Sequence, residues 1–161
     1  MHLEPMTTAD APRLSEIFAS IGMLAVRADG TIDPDASPWI RLCSTTLTGR
    51  KLMVDGVMVG GGQLTPQKYP HAAELGFWID RPLHRRGYGT AVVRLFIRLA
   101  FEELRLHRLC AKTFANNLGS IGSCEKAGMR REGVLRDVGC KQGVYYDEIH
   151  FGILATDPRP T

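Results

Sequence analysis

The sequence predicts a mixed α/β (α+β) fold: one domain with a central mixed, mostly antiparallel sheet of about seven strands and helices on both faces. Three observations predict it. The chain has 161 residues, 44% hydrophobic and 23% charged, enough for one domain with a sizeable core. Asp55-Gly56, a strong two-residue turn signal, joins two strand-like runs and sets antiparallel pairing early in the chain. A strand–helix–strand passage then occupies the middle, where a crossover connection is needed. The domain is expected to span 1–161, with an ordered core over about 3–154.

Each element has a local reason. "TTADAPRLSEIFASIG" reads as a first helix, capped by Thr8 or Asp10, with Leu14, Ile17, Phe18 and Ile21 on its apolar face and Gly22 as its stop. "RADGTIDPDASP" is a polar loop rich in turn formers. "SPWIRLCSTTL" reads as a second short helix, with Ser37 as cap and Pro38 at its first position. The hairpin follows as "RKLMV" and "VMVGGGQL", where Gly60, Gly61 and Gly62 signal a bulge or a close backbone approach. "AELGFWI" is a strand. From Thr90 to about Leu104 the helical period returns, with Val93, Ile97, Ala100 and Leu104 on one face. "RLCAKTF" is a strand, and "NNLGSIGSCEKAGM" is a short helix that stops at Gly128. "REGVLRDVGC" and "VYYDEIHFGIL" alternate like two strands around a Lys-Gln-Gly turn. The tail "ATDPRPT" is expected to fray.

Composition narrows the function classes. Net charge is +3, with Lys and Arg scattered among Asp and Glu, which argues against nucleic acid and suits a small anionic ligand. Cys43, Cys110, Cys124 and Cys140 include no C-x-x-C pair, and no His-Glu-x-x-His motif occurs, so no metal site is expected. "MHLEPMTTAD" lacks the features of a signal peptide, and no apolar run is long enough to span a bilayer. A cytoplasmic location with reduced thiols is the expectation, with no membrane partner.

The most informative stretch is "HRRGYGT", from His84 to Thr90, directly after a strand and opening a helix. The first N–H groups of a helix have no intrahelical acceptor and sit at the positive end of its dipole. Such a turn can hold a phosphate or pyrophosphate, with Arg85 and Arg86 at its rim. The plainer alternative is a tight strand-to-helix turn with two solvated arginines. A dinucleotide fingerprint wants Gly or Ala at the third position, where Val92 stands. The nucleotide P-loop wants a Gly-Lys pair, and the chain has none.

This stretch resembles the coenzyme A-binding motif of the GNAT superfamily of acyl-CoA-dependent N-acyltransferases: Gln or Arg, two residues, Gly, one residue, Gly or Ala. Only the first place departs, where His84 stands. "NNLGSIGSCEKAGMRREGVLR" is similar to the corresponding segment of the RimJ/RimL-like branch, which acetylates N-terminal amines of ribosomal proteins and other amines. "LMVDGVMVGGGQL" and "GVYYDEIHFGIL" resemble that branch's hairpin and closing strand. The resemblance runs from about Leu3 to Leu154.

The resemblance implies an acetyl-CoA-dependent N-acetyltransferase that transfers an acetyl group to a primary amine by direct attack in a ternary complex. The acceptor would be a protein N-terminus or a small molecule, and the family admits a homodimer. Coenzyme A would bind at Arg85, Arg86, Gly87, Tyr88, Gly89 and Thr90, and along the backbone of Trp78 and Ile79. Asn117 would contact the pantetheine arm and the Ser120 hydroxyl would reach the thiol sulfur. Asn117 also suits a plain N-cap. Glu74 is the candidate general base, through a water; a charged strand end is the alternative. An N-terminal amine, with a pKa of roughly 7.7–8.0, needs less help from a base than a lysine at about 10.4. Tyr145 and Tyr146 read as packing residues or walls of the acceptor pocket, Asp147 either orients an amine or holds a loop, and His107 and His150 read as structural. Cys124 reads as buried core. A coenzyme A-binding regulatory module without turnover is the rival function.

Overall fold

The protein is described by a computed structural model over residues 1–22, 48–141 and 143–159. The expected loop over 27–38 and the second helix over 37–47 lie outside the described residues. Among the described residues, the strands and α-helices follow the order β1 (His2–Pro5), α1 (Ala11–Ile21), β2 (Thr48–Val54), β3 (Val57–Pro66), β4 (Ala72–Ile79), α2 (Tyr88–Arg98), β5 (Arg108–Phe114), α3 (Leu118–Lys126), β6 (Arg130–Lys141) and β7 (Val144–Leu154).

The strands form one seven-stranded sheet in the order β1-β2-β3-β4-β5-β7-β6. β4 and β5, joined through α2, run parallel, and the other pairs are antiparallel. The expected mixed, mostly antiparallel sheet with helices on both faces is therefore observed. Side-chain alternation assigns the faces. Trp78 and Met58 pack with Leu14, Ile17 and Phe18 of α1 on one face. Leu75, Leu109, Phe151 and Ile153 pack on the other against Val92, Val93 and Phe96 of α2 and Ile121 and Cys124 of α3.

Local signals account for most boundaries. Asp55 and Gly56 both take left-handed φ, 50° and 78°, as the tight hairpin requires. In β3 both readings of the glycine run hold. Val59 is the extra residue where the register shifts, since Leu52 pairs with Gly60 and Met53 with Met58. A Cβ on Gly62 would lie 2.7 Å from the Phe96 ring, so bare backbone lets α2 close on the sheet. Gly22 ends α1 with φ 71°.

Two expectations need correction. Asp10, one of the two expected caps, holds the N-cap position of α1, but its carboxylate bonds no helix amide and instead accepts the Thr7 N–H at 2.8 Å and its hydroxyl at 3.0 Å. Leu104 does not share the apolar face of α2, being 42% exposed. From Leu99 to Glu103 the chain winds as a π turn, and Leu104 N–H bonds to Leu99 C=O. The wider turn shifts the helical phase, burying Phe101 and releasing Leu104. No helix among the described residues is long and apolar enough to cross a membrane.

Candidate functional site

The site begins where β4 and β5 part. Their pairing ends at Glu74 opposite Cys110, yet β4 continues to Ile79 beside β3 and β5 to Phe114 beside β7. Each strand keeps its outer partner and they separate from each other, opening a cleft of about 370 Å³ through the sheet. Beyond the split, alternate backbone groups of β4 face this opening rather than a neighbouring strand.

The two faces of the sheet supply different walls. On the side of α2 and α3 the cleft is lined by Leu75 and Phe77 of β4, Thr113 of β5, and Asn117, Ser120 and Cys124 at α3. On the side of α1 it is lined by Gln63, Gly76 and Trp78, then by Lys112, Phe114 and Glu148. Gly76 lies beneath the Gln63 amide, which a Cβ there would meet at 2.8 Å. Gln63 Oε1 is buried with no hydrogen-bond partner among the described residues.

β4 leads directly into the glycine turn. Asp80, 6% exposed, accepts from Arg13 at 2.5 Å and from Ser20 at 3.0 Å, tying the strand's end to α1. The chain turns through Arg81–Leu83, and His84 Nε2 lies 2.8 Å from Ile79 C=O. The side chain that departs from the expected motif is thus spent on the strand end. Arg85 and Gly87 then take left-handed φ, 65° and 83°. α2 starts without a side-chain cap, and its first internal bond runs from Ala91 N–H to Gly87 C=O. The N–H groups of Tyr88, Gly89 and Thr90 therefore have no acceptor within the helix. Arg85 and Arg86 are exposed beside them. This is the geometry of an anion site at a helix start.

Gly89 serves packing rather than turning. It lies within α2, and a Cβ there would come 2.5 Å from Ser123 Oγ of α3. That contact sets α3 against the turn and brings Asn117 and Ser120 to the cleft. Asn117 caps α3, its Oδ1 accepting the Ser120 N–H at 3.1 Å, so the capping reading is realised while the residue still lines the cleft. Cys124 is buried as expected, and burial first, then Glu125, pushes its thiol up to about 12, so it is neutral. It also floors the cleft.

Other candidates lie elsewhere. Glu74 is at the closed end of the split, outside the cleft lining, with Lys112 Nζ 3.4 Å from its Oε1. Ile79 is buried beside the cleft rather than in its wall. Tyr145, 63% exposed, and Tyr146 do not line it. Asp147 holds a bulge: its Oδ1 accepts Asp137 N–H at 3.0 Å, where β6 slips register between Leu135 and Gly139. His150 is bound to Glu148 at 2.8 Å. Sequence reading missed Glu148, Lys112 and Thr113. Their positions in the alternating strands gave the face but not the split that exposes them.

The family model described as "Acetyltransferase (GNAT) domain" matches residues 1–130. "Probable N-acetyltransferase YjcK" of Bacillus subtilis is 39% identical over 85 residues, 53% of this chain and 47% of that protein. "L-amino acid N-acetyltransferase AaaT" of Escherichia coli is 29% identical over 97 residues, 58% of this chain and 60% of that protein. The chain thus spans about half the length of the curated relatives it matches. A structure of "Ribosomal-protein-alanine N-acetyltransferase from Brucella melitensis" superposes with a TM-score of 0.79 at 23% identity, covering 96% of this chain and 99% of that one, which is a likeness of fold.

Proposed function

The chain belongs to the acetyltransferase (GNAT) domain family, and on that premise we propose that it transfers an acetyl group from acetyl-CoA to a primary amine. The single observation that carries the reading is the uncapped start of α2, in the connection that follows the strand bordering the split. The free N–H groups of Tyr88, Gly89 and Thr90, with Arg85 and Arg86, suit a pyrophosphate. The cleft wall along Leu75, Phe77 and Asn117 suits an extended pantetheine arm, with backbone groups of β4 near Trp78 and Ile79 as hydrogen-bond partners. The thioester would then lie in the split, between the two faces of the sheet.

The amine enters from the α1 face in this reading and attacks the thioester directly, without a covalent enzyme intermediate. A backbone N–H of β4 polarises the carbonyl, and the Ser120 hydroxyl, in the cleft wall on the α3 side, is the group assigned to the departing sulfur. The amine's proton has two carboxylate destinations on the α1 face, Glu74 through a water and Glu148 directly. The resemblance of the segment around Asn117 and Ser120 to that of the RimJ/RimL-like branch supports this branch as the finer assignment, with a protein N-terminus or a small amine as acceptor.

The test is Gly87→Asp. No atom lies within 4 Å of a Cβ at Gly87, and Asp tolerates left-handed φ, so the variant is expected to fold. Its carboxylate would accept the free N–H groups and repel a phosphate. Calorimetry is expected to show wild-type binding of acetyl-CoA and at least a hundredfold weaker binding by the variant. Equal binding overturns the turn assignment. Release of coenzyme A thiol against an amine panel separates an enzyme from a binding module without turnover.

A further inference from the structure

Glu148 on β7 is the one carboxylate among the described residues that lines the cleft. Its side chain is 15% exposed. It alternates with Ile149, which is buried beneath α2 and α3, so it faces the α1 side. His150 Nε2 stands 2.8 Å from Glu148 Oε1. A donated imidazole N–H orients the carboxylate, and Oε2 has no hydrogen-bond donor among the described residues.

The neighbouring charges do not cancel it. On β5, Lys112 lies opposite His150 in register and lines the cleft, but its ammonium is paired with Glu74 of β4. Arg108, further along β5, is held by Glu132 of β6. Cys110, between them, is a thiol whose ionisation burial opposes. With the Lys112–Glu74 and Arg108–Glu132 pairs matched, the partner left to Glu148 in the cleft is His150, which neutralises it only when the imidazole carries both protons.

An aliphatic amine in neutral water arrives largely as an ammonium, with N–H donors to offer. The geometry points to Glu148 as the catalytic carboxylate that receives this ammonium and takes its proton, and it assigns the acceptor to primary amines with no carboxylate beside the nitrogen. The assignment rests on the acetyltransferase reading. The ammonium gives one proton to Glu148, which later passes it to solvent. The freed nitrogen lone pair forms the N–C bond to the thioester carbon and the C–S bond breaks. A second proton leaves the nitrogen for the departing thiolate, giving the amide and coenzyme A thiol. A carboxylate on the acceptor, one or two bonds from the amine, would face Glu148 at short range in a half-dry site, and like charges there discriminate strongly. Lys112 offers such a group little, being paired already.

Matched acceptors test this: glycinamide against glycine, and phenylalaninamide against phenylalanine, with acetyl-CoA held constant. The wild type is expected to favour each amide. Glu148→Gln is expected to lower kcat/KM for the amides about a hundredfold at pH 7, the usual scale for losing an acid–base group. The amide-to-acid preference should fall about tenfold, and raising the pH should restore part of the rate because the amine then deprotonates itself. Glu148→Asp should keep an intermediate rate and most of the preference. Coenzyme A affinity should stay unchanged in both variants, because Glu148 lies on the opposite face from the turn. Wild-type kcat/KM in Glu148→Gln, or a wild-type preference for the free acids, overturns the inference while leaving an acetyltransferase in place. Should Glu148→Gln fail to fold, the wild-type preference and Glu148→Asp decide the matter. Absence of turnover on every amine, with acetyl-CoA still bound, removes the enzyme reading and this inference together.

Discussion

Asp80 ends β4 as a buried carboxylate, and two side chains of α1 make that possible. Arg13 and Ser20 both donate to it, and Ser20 Oγ also accepts the Arg81 N–H at 3.3 Å. The strand end, and so the turn seven residues on, is anchored to α1 by charge rather than by packing alone. Stripping the partner from a fully buried ion pair costs about 3–5 kcal/mol. Arg13 is 37% exposed, so water replaces part of what it gives, and Arg13→Ala is expected to cost about 2 kcal/mol by urea unfolding. It should also weaken acetyl-CoA binding through a displaced turn, which Ser20→Ala should do less. Nothing in the letters "IDRP" announces the partners. Arg13 and Asp80 are 67 residues apart, and only the packing of α1 beneath β4 brings them together.

At the scale of elements, α2 carries both the turn and the core. The pattern of glycines at 87 and 89 was legible, as was the amphipathic run that follows. The reason for the second glycine was not. Gly87 is needed for its left-handed φ, whereas Gly89 is needed because Ser123 of α3 stands over it. Gly89→Ala is therefore expected to destabilise the fold by about 1–3 kcal/mol through overpacking, despite alanine's better helix propensity. Combining it with Ser123→Gly should recover much of that loss, as thermal unfolding of the two variants would show. An independent gain from alanine at 89 alone would mean that the Ser123 hydroxyl turns aside. The π turn at the end of α2 was hidden for a similar reason: a 3.6-residue period continues to fit the letters through Leu104, and only the observed bond from Leu104 to Leu99 breaks it.

The sheet as a whole is stitched across its strands by charge on the α1 face. Arg108 of β5 reaches Glu132 of β6 over the intervening β7, where Gly152 has no side chain to obstruct them. The hydrogen bond from Arg108 holds the Glu132 carboxyl below its ordinary 4.5, with burial opposing. A carboxyl lowered on folding stabilises the native state above its unfolded pKa, and the benefit fades as pH falls through the folded value. Acidification from pH 7 to pH 3 should therefore lower Tm more steeply in the wild type than in Glu132→Gln, with the divergence opening below about pH 4.5. Parallel acid profiles for the two proteins would mean that the pair contributes nothing.

The sequence by itself determined the order of the elements, the hairpin at Asp55-Gly56, the glycine turn before α2, and the family those features belong to. These are local properties, set by φ angles, periodicity and helix ends, which are written within a few residues of each other. The family resemblance already implied that β4 splays from its neighbour; only the tertiary structure decided that the parting comes after Glu74, that Asn117 caps a helix while lining the cleft, and that Glu148 rather than Glu74 faces the opening. A strand's alternation says which side a residue takes, but whether that side is covered, paired or open depends on strands distant in the chain. The split lies where it does because β4 stays paired with β3 while β5 stays paired with β7, and no single segment carries that information.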